Sequence, residues 1–106
     1  MKIGIIIETK EYEKAWNAFR FAVAAKTQNN EVKVFLLGDA VECEGLTHEK
    51  FNINEHLKAF ISFGGEVLAC GTCLETRQKN ATEACPLATM ADCLKMVEWA
   101  DKVLTF

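Results

Sequence analysis

The chain contains a series of short apolar runs, each about as long as one β-strand. The first run, Lys2 to Ile7, is mostly β-branched, which is typical of a strand buried on both faces of a parallel sheet. Runs over Glu31–Leu37, Glu66–Cys70 and Val103–Phe106 predict three further strands. The pattern therefore predicts at least four strands.

Between these runs, apolar residues recur at the spacing of an α-helix. The first helix is predicted from Glu11 to about Gln28, with Thr9 as its N-cap. A second helix, with Asn54 or Asn52 as its N-cap, continues through Phe63, where a Gly-Gly pair ends it. The segment between the second strand and this helix is predicted to be irregular or a single turn.

A third helix is predicted near the end of the chain. Thr89 and Asp92 have the spacing of a capping box, which marks a helix start, and the helix ends near Asp101. Its apolar residues form one stripe, which we expect to face the core. The members of that stripe are Met90, Ala91, Leu94, Val97 and Ala100.

Strands that alternate with helices predict right-handed crossovers and helices on both faces of a mostly parallel sheet. The chain has 106 residues, half of them apolar, which is enough for one modest core. No linker, repeat or low-complexity segment divides it. The predicted fold is therefore α/β, a single-domain three-layer α/β/α sandwich over residues 1–106.

Charge and composition exclude several partners. The net charge is −3 and the basic residues are scattered, so the chain has no basic surface for nucleic acid or for an anionic membrane. The opening apolar run is too short for a signal peptide or a membrane span, and we expect a cytoplasmic protein. No glycine-rich phosphate loop is present, so neither a nucleotide nor a flavin is predicted, and we expect no cofactor.

Reactive and polar residues follow three of the predicted strands. Glu8 follows the first, Asp39 follows the second, and Cys70 and Cys73 lie where the third gives way to a helix-compatible segment. Ligands of parallel sheets bind outside the carboxyl ends of the strands, so these residues are candidates for one site. A thiol that is exposed there, beside a helix N-terminus, is favoured as thiolate. Cys70 and Cys73 are therefore the candidate catalytic residues.

Four segments together carry a family resemblance that covers nearly the whole chain. The opening strand, Val34–Asp39, Ala69–Arg77 and Thr89–Phe106 resemble the DsrE/DsrF/TusD-like family of small sulfur-relay and sulfur-reduction proteins. The resemblance implies an α/β/α fold, assembly into homotrimers or homohexamers, and a cysteine that accepts sulfane sulfur as a persulfide. Cys70, with Arg77 seven residues on, matches the position of that cysteine.

The predicted chemistry is sulfur transfer. Cys70 would attack a donor persulfide, hold the sulfur and pass it to an acceptor thiol, with Cys73 as a resolving thiol. The partners would be sulfur donor and acceptor proteins or small thiols. Arg77 would offset the charge of a thiolate or persulfide, and Asp39 and Glu8 would be substrate-binding groups at the rim.

Other functions are open at this stage. Cys70 and Cys73 could bind a metal together with Cys85 and with Cys93 or a histidine, or they could be the redox pair of a thioredoxin-like oxidoreductase. The chain could also be an oligomeric module with inert thiols.

The number of cysteines, five, is odd, so complete internal pairing is impossible. Cys43 and Cys93 are predicted to be shielded packing residues under any of these functions.

Overall fold

A computed structural model describes residues 1–106. Five parallel strands form one sheet in the order β4-β3-β2-β1-β5. The strands are β1 (Lys2–Ile7), β2 (Glu31–Leu36), β3 (Glu66–Cys70), β4 (Leu87–Ala88) and β5 (Lys102–Thr105). The helices are α1 (Tyr12–Thr27), α2 (Ile53–Ser62), α3 (Gly71–Thr76) and α4 (Met90–Trp99), and a 3-10 helix covers Gly38–Gly45.

The two faces of the sheet are covered unequally. Ile3, Ile5 and Ile7 of β1 are buried in the core on the side where α1 and α2 pack together. On the opposite side, a Cβ added at Gly4 would lie 3.3 Å from the Ala100 Cβ, so the missing side chain lets the end of α4 approach β1 closely. The predicted α/β fold with three layers is confirmed, and the third layer consists of α4.

The four strands predicted from the sequence are all present, with small shifts at their ends. β2 ends at Leu36 rather than Leu37, and β5 begins at Lys102. The strand that the sequence did not reveal is β4, whose two residues pair with Ala69 and Cys70 of β3. Two residues are too few to show a periodic pattern in the sequence. This segment is a strand because it pairs with β3.

The helix caps agree with two of the three predictions. Asn52 caps α2, and Thr89 and Asp92 form the predicted capping box of α4. The prediction of Thr9 as the cap of α1 is wrong. The Glu11 carboxylate accepts the backbone N–H groups of Glu13 and Lys14 at 3.3 and 3.1 Å, while the Thr9 hydroxyl accepts the N–H of Glu11.

The predicted inward face of α4 is wrong except at Ala100, which lies against Gly4 of β1. Cys93 and Met96 are the buried residues of this helix, whereas Leu94 is 58% exposed and Met90 is 60% exposed. The helix contacts β1 at Gly4 through Met96 and Ala100. The other apolar residues of the predicted stripe therefore lie outside the core. The stripe belongs to a surface that this chain does not cover by itself.

Of the six glycines, Gly65 has the least room for a side chain, and it lies between α2 and β3. The ring of Phe60, which is fully buried, occupies the space that a Cβ at Gly65 would need. We expect Gly65→Ala to lower the free energy of unfolding by about 1–3 kcal/mol, because the ring has no free volume into which it can move.

Urea unfolding would test this prediction, with Gly45→Ala as the matched control. A Cβ at Gly45 meets no atom within 4 Å, so that substitution should leave the free energy of unfolding within about 0.5 kcal/mol of the wild type. Equal stability of the two variants would contradict the packing described for Gly65.

Candidate functional site

The two candidate cysteines lie at the carboxyl end of β3, where the short helix α3 begins. Cys70 is the last residue of β3 and pairs with Ala88 of β4, while Cys73 lies in the first turn of α3. Both side chains line a cavity of about 450 Å³. The position predicted for the thiols at the sheet edge is therefore confirmed.

The accessibility of the two thiols differs from expectation. We expected Cys70 to be exposed at the strand end, but it is only 4% exposed, and β4 pairs with β3 beside it. Cys73 is partly exposed. Of the two thiols, the one in α3 is the more open to solvent.

Cys73 has a specific electrostatic environment. Its Sγ accepts a hydrogen bond from the backbone N–H of Gly38 at 3.2 Å. Burial raises the pKa of Cys73, a hydrogen bond with the Cys70 thiol raises it further, and the Gly38 N–H and the Arg77 guanidinium act in the opposite direction. Cys70 is thus close enough to affect the ionisation of Cys73, and Cys73 accepts a hydrogen bond from the backbone just past the end of β2.

Arg77 lies beside this pair, as the sequence predicted. Its Nη1 donates to the Cys73 carbonyl at 3.1 Å, and its Nε lies 3.8 Å from Glu42 Oε2. Glu42 also accepts from Lys10 Nζ at 3.1 Å, and that hydrogen bond is the main cause of its lowered pKa. One carboxylate is therefore shared between two cations next to the thiols.

Asp39 and Glu8 lie at the same sheet edge but do not line the thiol cavity. The Asp39 carboxylate accepts the backbone N–H of Lys10 at 2.9 Å, so it holds the loop that follows β1. Glu8 is exposed, and its backbone N–H donates to the Phe106 carbonyl. Their role in binding substrate stays a prediction.

Comparison with known proteins matches this arrangement to a family. The sequence model of the DsrE/DsrF-like family matches residues 1–106. The chain belongs to the DsrE/DsrF-like family. The family predicted from the sequence is thereby confirmed.

Relatives of this DsrE/DsrF-like protein cover the same length. It is 37% identical to the uncharacterized protein MJ0989 of Methanocaldococcus jannaschii, over all of both chains. It is 36% identical to the uncharacterized protein MK0008 of Methanopyrus kandleri, over 98% of this chain and 93% of that protein. The crystal structure of the ychN protein from E. coli superposes with a TM-score of 0.90 and 29% identity, over 100% of this chain and 99% of that one.

The remaining cysteines of the DsrE/DsrF-like protein are buried, as predicted for Cys43 and Cys93. Burial raises the pKa of Cys43 to about 12, with a smaller contribution from Asp39, and raises that of Cys85 to about 12 together with Glu44. Burial also raises the pKa of Cys93, and the nearby Cys70 raises it further.

No three His, Cys, Asp or Glu side chains converge in a geometry that could hold a metal ion. None of the helices combines the length and apolarity needed to cross a membrane.

Sequence reasoning missed three residues of this site. Lys10 and Glu42 carry no local signal, because their ion pair joins segments 32 residues apart. The position of Gly38 just past the second strand could be predicted, but its hydrogen bond to Cys73 could not. Its left-handed φ of +57° and its N–H contact with Cys73 depend on the register of β2 and β3, which the sequence alone does not give.

Arg77 provides a test of this electrostatic environment. We expect Arg77→Gln to slow the alkylation of Cys73 by iodoacetamide at pH 7.5 about twofold, in keeping with a partly exposed charge. The reason is that the guanidinium lowers the pKa of Cys73, so its loss raises that pKa and reduces the thiolate fraction at this pH.

Peptide mapping after limited labelling would give the rate at Cys73 itself. Arg20→Gln is the matched control, because Arg20 stacks on Trp16 and contacts Asn17, both in α1. A rate that is unchanged or faster in Arg77→Gln would show that the guanidinium does not stabilise the thiolate.

Proposed function

We propose that this protein carries sulfane sulfur as a persulfide on Cys70 and transfers it to an acceptor thiol. The observation that carries the proposal is that Cys70 and Cys73 line one cavity at the carboxyl end of β3, with the Gly38 N–H donating to Cys73 Sγ. Family membership supports a sulfur-relay role. The burial of Cys70 suits storage, since a persulfide there is shielded from solvent thiols.

The transfer steps balance without a cofactor. The Cys70 thiolate attacks the outer sulfur of a donor R–S–SH, the S–S bond breaks, and R–S⁻ leaves as Cys70–S–SH forms. An acceptor thiolate then attacks the outer sulfur and restores the Cys70 thiolate. The donors and acceptors would be proteins or small thiols.

Cys73 allows a second reaction of the persulfide, in which sulfide is released. Its thiolate can attack the inner sulfur of Cys70–S–SH, which forms a Cys70–Cys73 disulfide and releases HS⁻. Two equivalents of an external thiol would then reduce the disulfide. The hydrogen bond from Gly38 to Cys73 Sγ favours the thiolate needed for this attack.

We also propose that the protein works as a homotrimer or homohexamer. Apolar residues on the outer side of α4 and on the edge strand β5 are exposed, and exposed apolar patches of this kind are usually covered by another subunit. The exposed residues are Leu94, Val97, Val103, Leu104 and Phe106, together with Phe21, whose ring centroid lies 6.3 Å from that of Phe106.

The proposed function can be tested by intact mass spectrometry after incubation of the reduced protein with a persulfide donor. One carried sulfur adds ~32 Da to the mass of the chain. Loss of that increment on treatment with excess acceptor thiol would support transfer. Absence of any increment at all donor concentrations would refute the proposed carrier role.

A further inference from the structure

The cavity beside the two thiols has a single charged residue in its lining, Glu75. Its wall is formed largely by apolar side chains of the β4 region, among them Leu87 and Met90, which are 61% and 60% exposed. Thr72 adds a neutral hydroxyl. A substrate that reaches the sulfur atoms through this cavity therefore meets one carboxylate and otherwise an uncharged surface.

The cations of the site lie elsewhere. Arg77 and Lys10 both pair with Glu42, and neither lines the thiol cavity. These are the two ion pairs of the structure, so the exposed Glu75 carboxylate has no cationic partner. Oxoanions such as a sulfonate are normally bound by arginine or lysine, and this cavity offers neither.

We propose that Glu75 is a specificity-determining residue that selects uncharged sulfur donors over anionic ones. This inference rests on the proposed function, and it assigns the substrate class as a persulfide whose carrier is electrically neutral, whether a small molecule or a peptide. Like charges within a Debye length repel, and the repulsion acts on a donor that must bring its sulfur to the thiols.

The reaction is the transfer already described, with the donor now specified. The thiolate attacks the outer sulfur of a neutral R–S–SH, and R–S⁻ leaves. With thiosulfate, the same attack would form the persulfide and release sulfite, SO₃²⁻. That donor enters with two negative charges, so it should experience the Glu75 carboxylate most strongly.

Charge selection can be measured first without any sulfur donor. Iodoacetate and iodoacetamide alkylate thiols by the same reaction, but the first is an anion and the second is neutral. We expect Glu75→Gln to raise the ratio of the iodoacetate rate to the iodoacetamide rate at Cys73 about twofold to threefold at low ionic strength, because a change in thiolate fraction affects both rates equally and cancels in the ratio. The gain should shrink in 1 M salt.

Glu83→Gln is the matched control, because Glu83 is also exposed but does not line the thiol cavity. It removes the same charge from the chain and should leave both rates unchanged. An equal change in the two rates, or the same selectivity change in Glu83→Gln, would overturn the role of Glu75.

The second measurement uses sulfur donors of different charge. In the protonated form that the thiolate attacks, hydroxyethyl persulfide is neutral and glutathione persulfide is a net anion, whereas thiosulfate is a dianion. For each, the loading rate of Glu75→Gln is divided by that of the wild type. We expect a ratio near one for hydroxyethyl persulfide and for a neutral cysteine-persulfide peptide, and ratios that rise to about fivefold for thiosulfate at low ionic strength.

The outcomes separate this inference from the proposed function. Equal ratios for all donors, with loading intact, would overturn the specificity role alone. Failure of every donor to load either protein would overturn the proposed function, while the alkylation rates would still decide whether Glu75 selects by charge. Faster loading from the peptide than from hydroxyethyl persulfide would identify a polypeptide as the source of the neutral persulfide, and the reverse would identify a small molecule.

Discussion

Replacing Cys70 with serine is expected to abolish sulfur loading, whereas Cys73→Ser is expected to retain it. A hydroxyl in place of the Cys70 thiol cannot accept sulfane sulfur, so the gain of about one sulfur atom per chain should fall to background. In Cys73→Ser the attack that would expel sulfide is absent, so the persulfide should persist longer than in the wild type. Intact mass spectra recorded over time would show both effects.

Cys85→Ala is the matched control for these variants. Cys85 is buried and does not line the thiol cavity, and burial keeps it protonated with a pKa of about 12. Its loss should leave sulfur loading unchanged. Equal loss of loading in the two single serine variants would instead indicate a dithiol redox pair, since a disulfide needs both sulfur atoms. A joint loss of bound zinc and thermal stability in either variant would indicate a metal site.

The second large effect concerns assembly. We expect Leu94→Glu to convert the proposed homo-oligomer into monomers at micromolar concentration. Leu94 lies on the exposed apolar stripe of α4, and a carboxylate buried there without a partner would cost several kcal/mol per interface. Light scattering coupled to size-exclusion chromatography would measure the change in mass.

Lys95→Glu is the control for this substitution. It places a carboxylate at the next position of α4, outside the apolar stripe, and the oligomer should survive. A monomeric wild type across the micromolar range would refute the assembly proposal. An unchanged mass for Leu94→Glu would show that the α4 stripe is not the interface.

Much of the fold could be predicted because its signals are local. β1 is a continuous β-branched run, and α4 begins with a capping box that both the sequence and the structure contain. The failures share a cause that is not local. β4 is a strand only because β3 lies beside it, and the face of α4 that packs inward depends on how closely the helix approaches Gly4.

In the candidate site, too, the features with a local sequence signal could be predicted, and those that depend on distant contacts could not. The sequence predicted Cys70, Cys73 and Arg77 at one end of the sheet, since Cys70 ends β3 and the other two lie in the segment that follows it. It could not show that Cys70 is buried, because the covering strand was itself not predicted. Nor could it show that the Gly38 N–H donates to Cys73, which joins two strand ends 35 residues apart.

The central claim is that sulfane sulfur resides on Cys70, and the most direct test is to locate the added sulfur in the wild-type chain. The reduced protein is loaded with hydroxyethyl persulfide, alkylated and digested, and the peptide that contains both Cys70 and Cys73 is fragmented between them. We predict that the extra ~32 Da stays with the Cys70 fragment. Sulfur found on Cys73 or on a buried cysteine, with Cys70 unmodified, would contradict it.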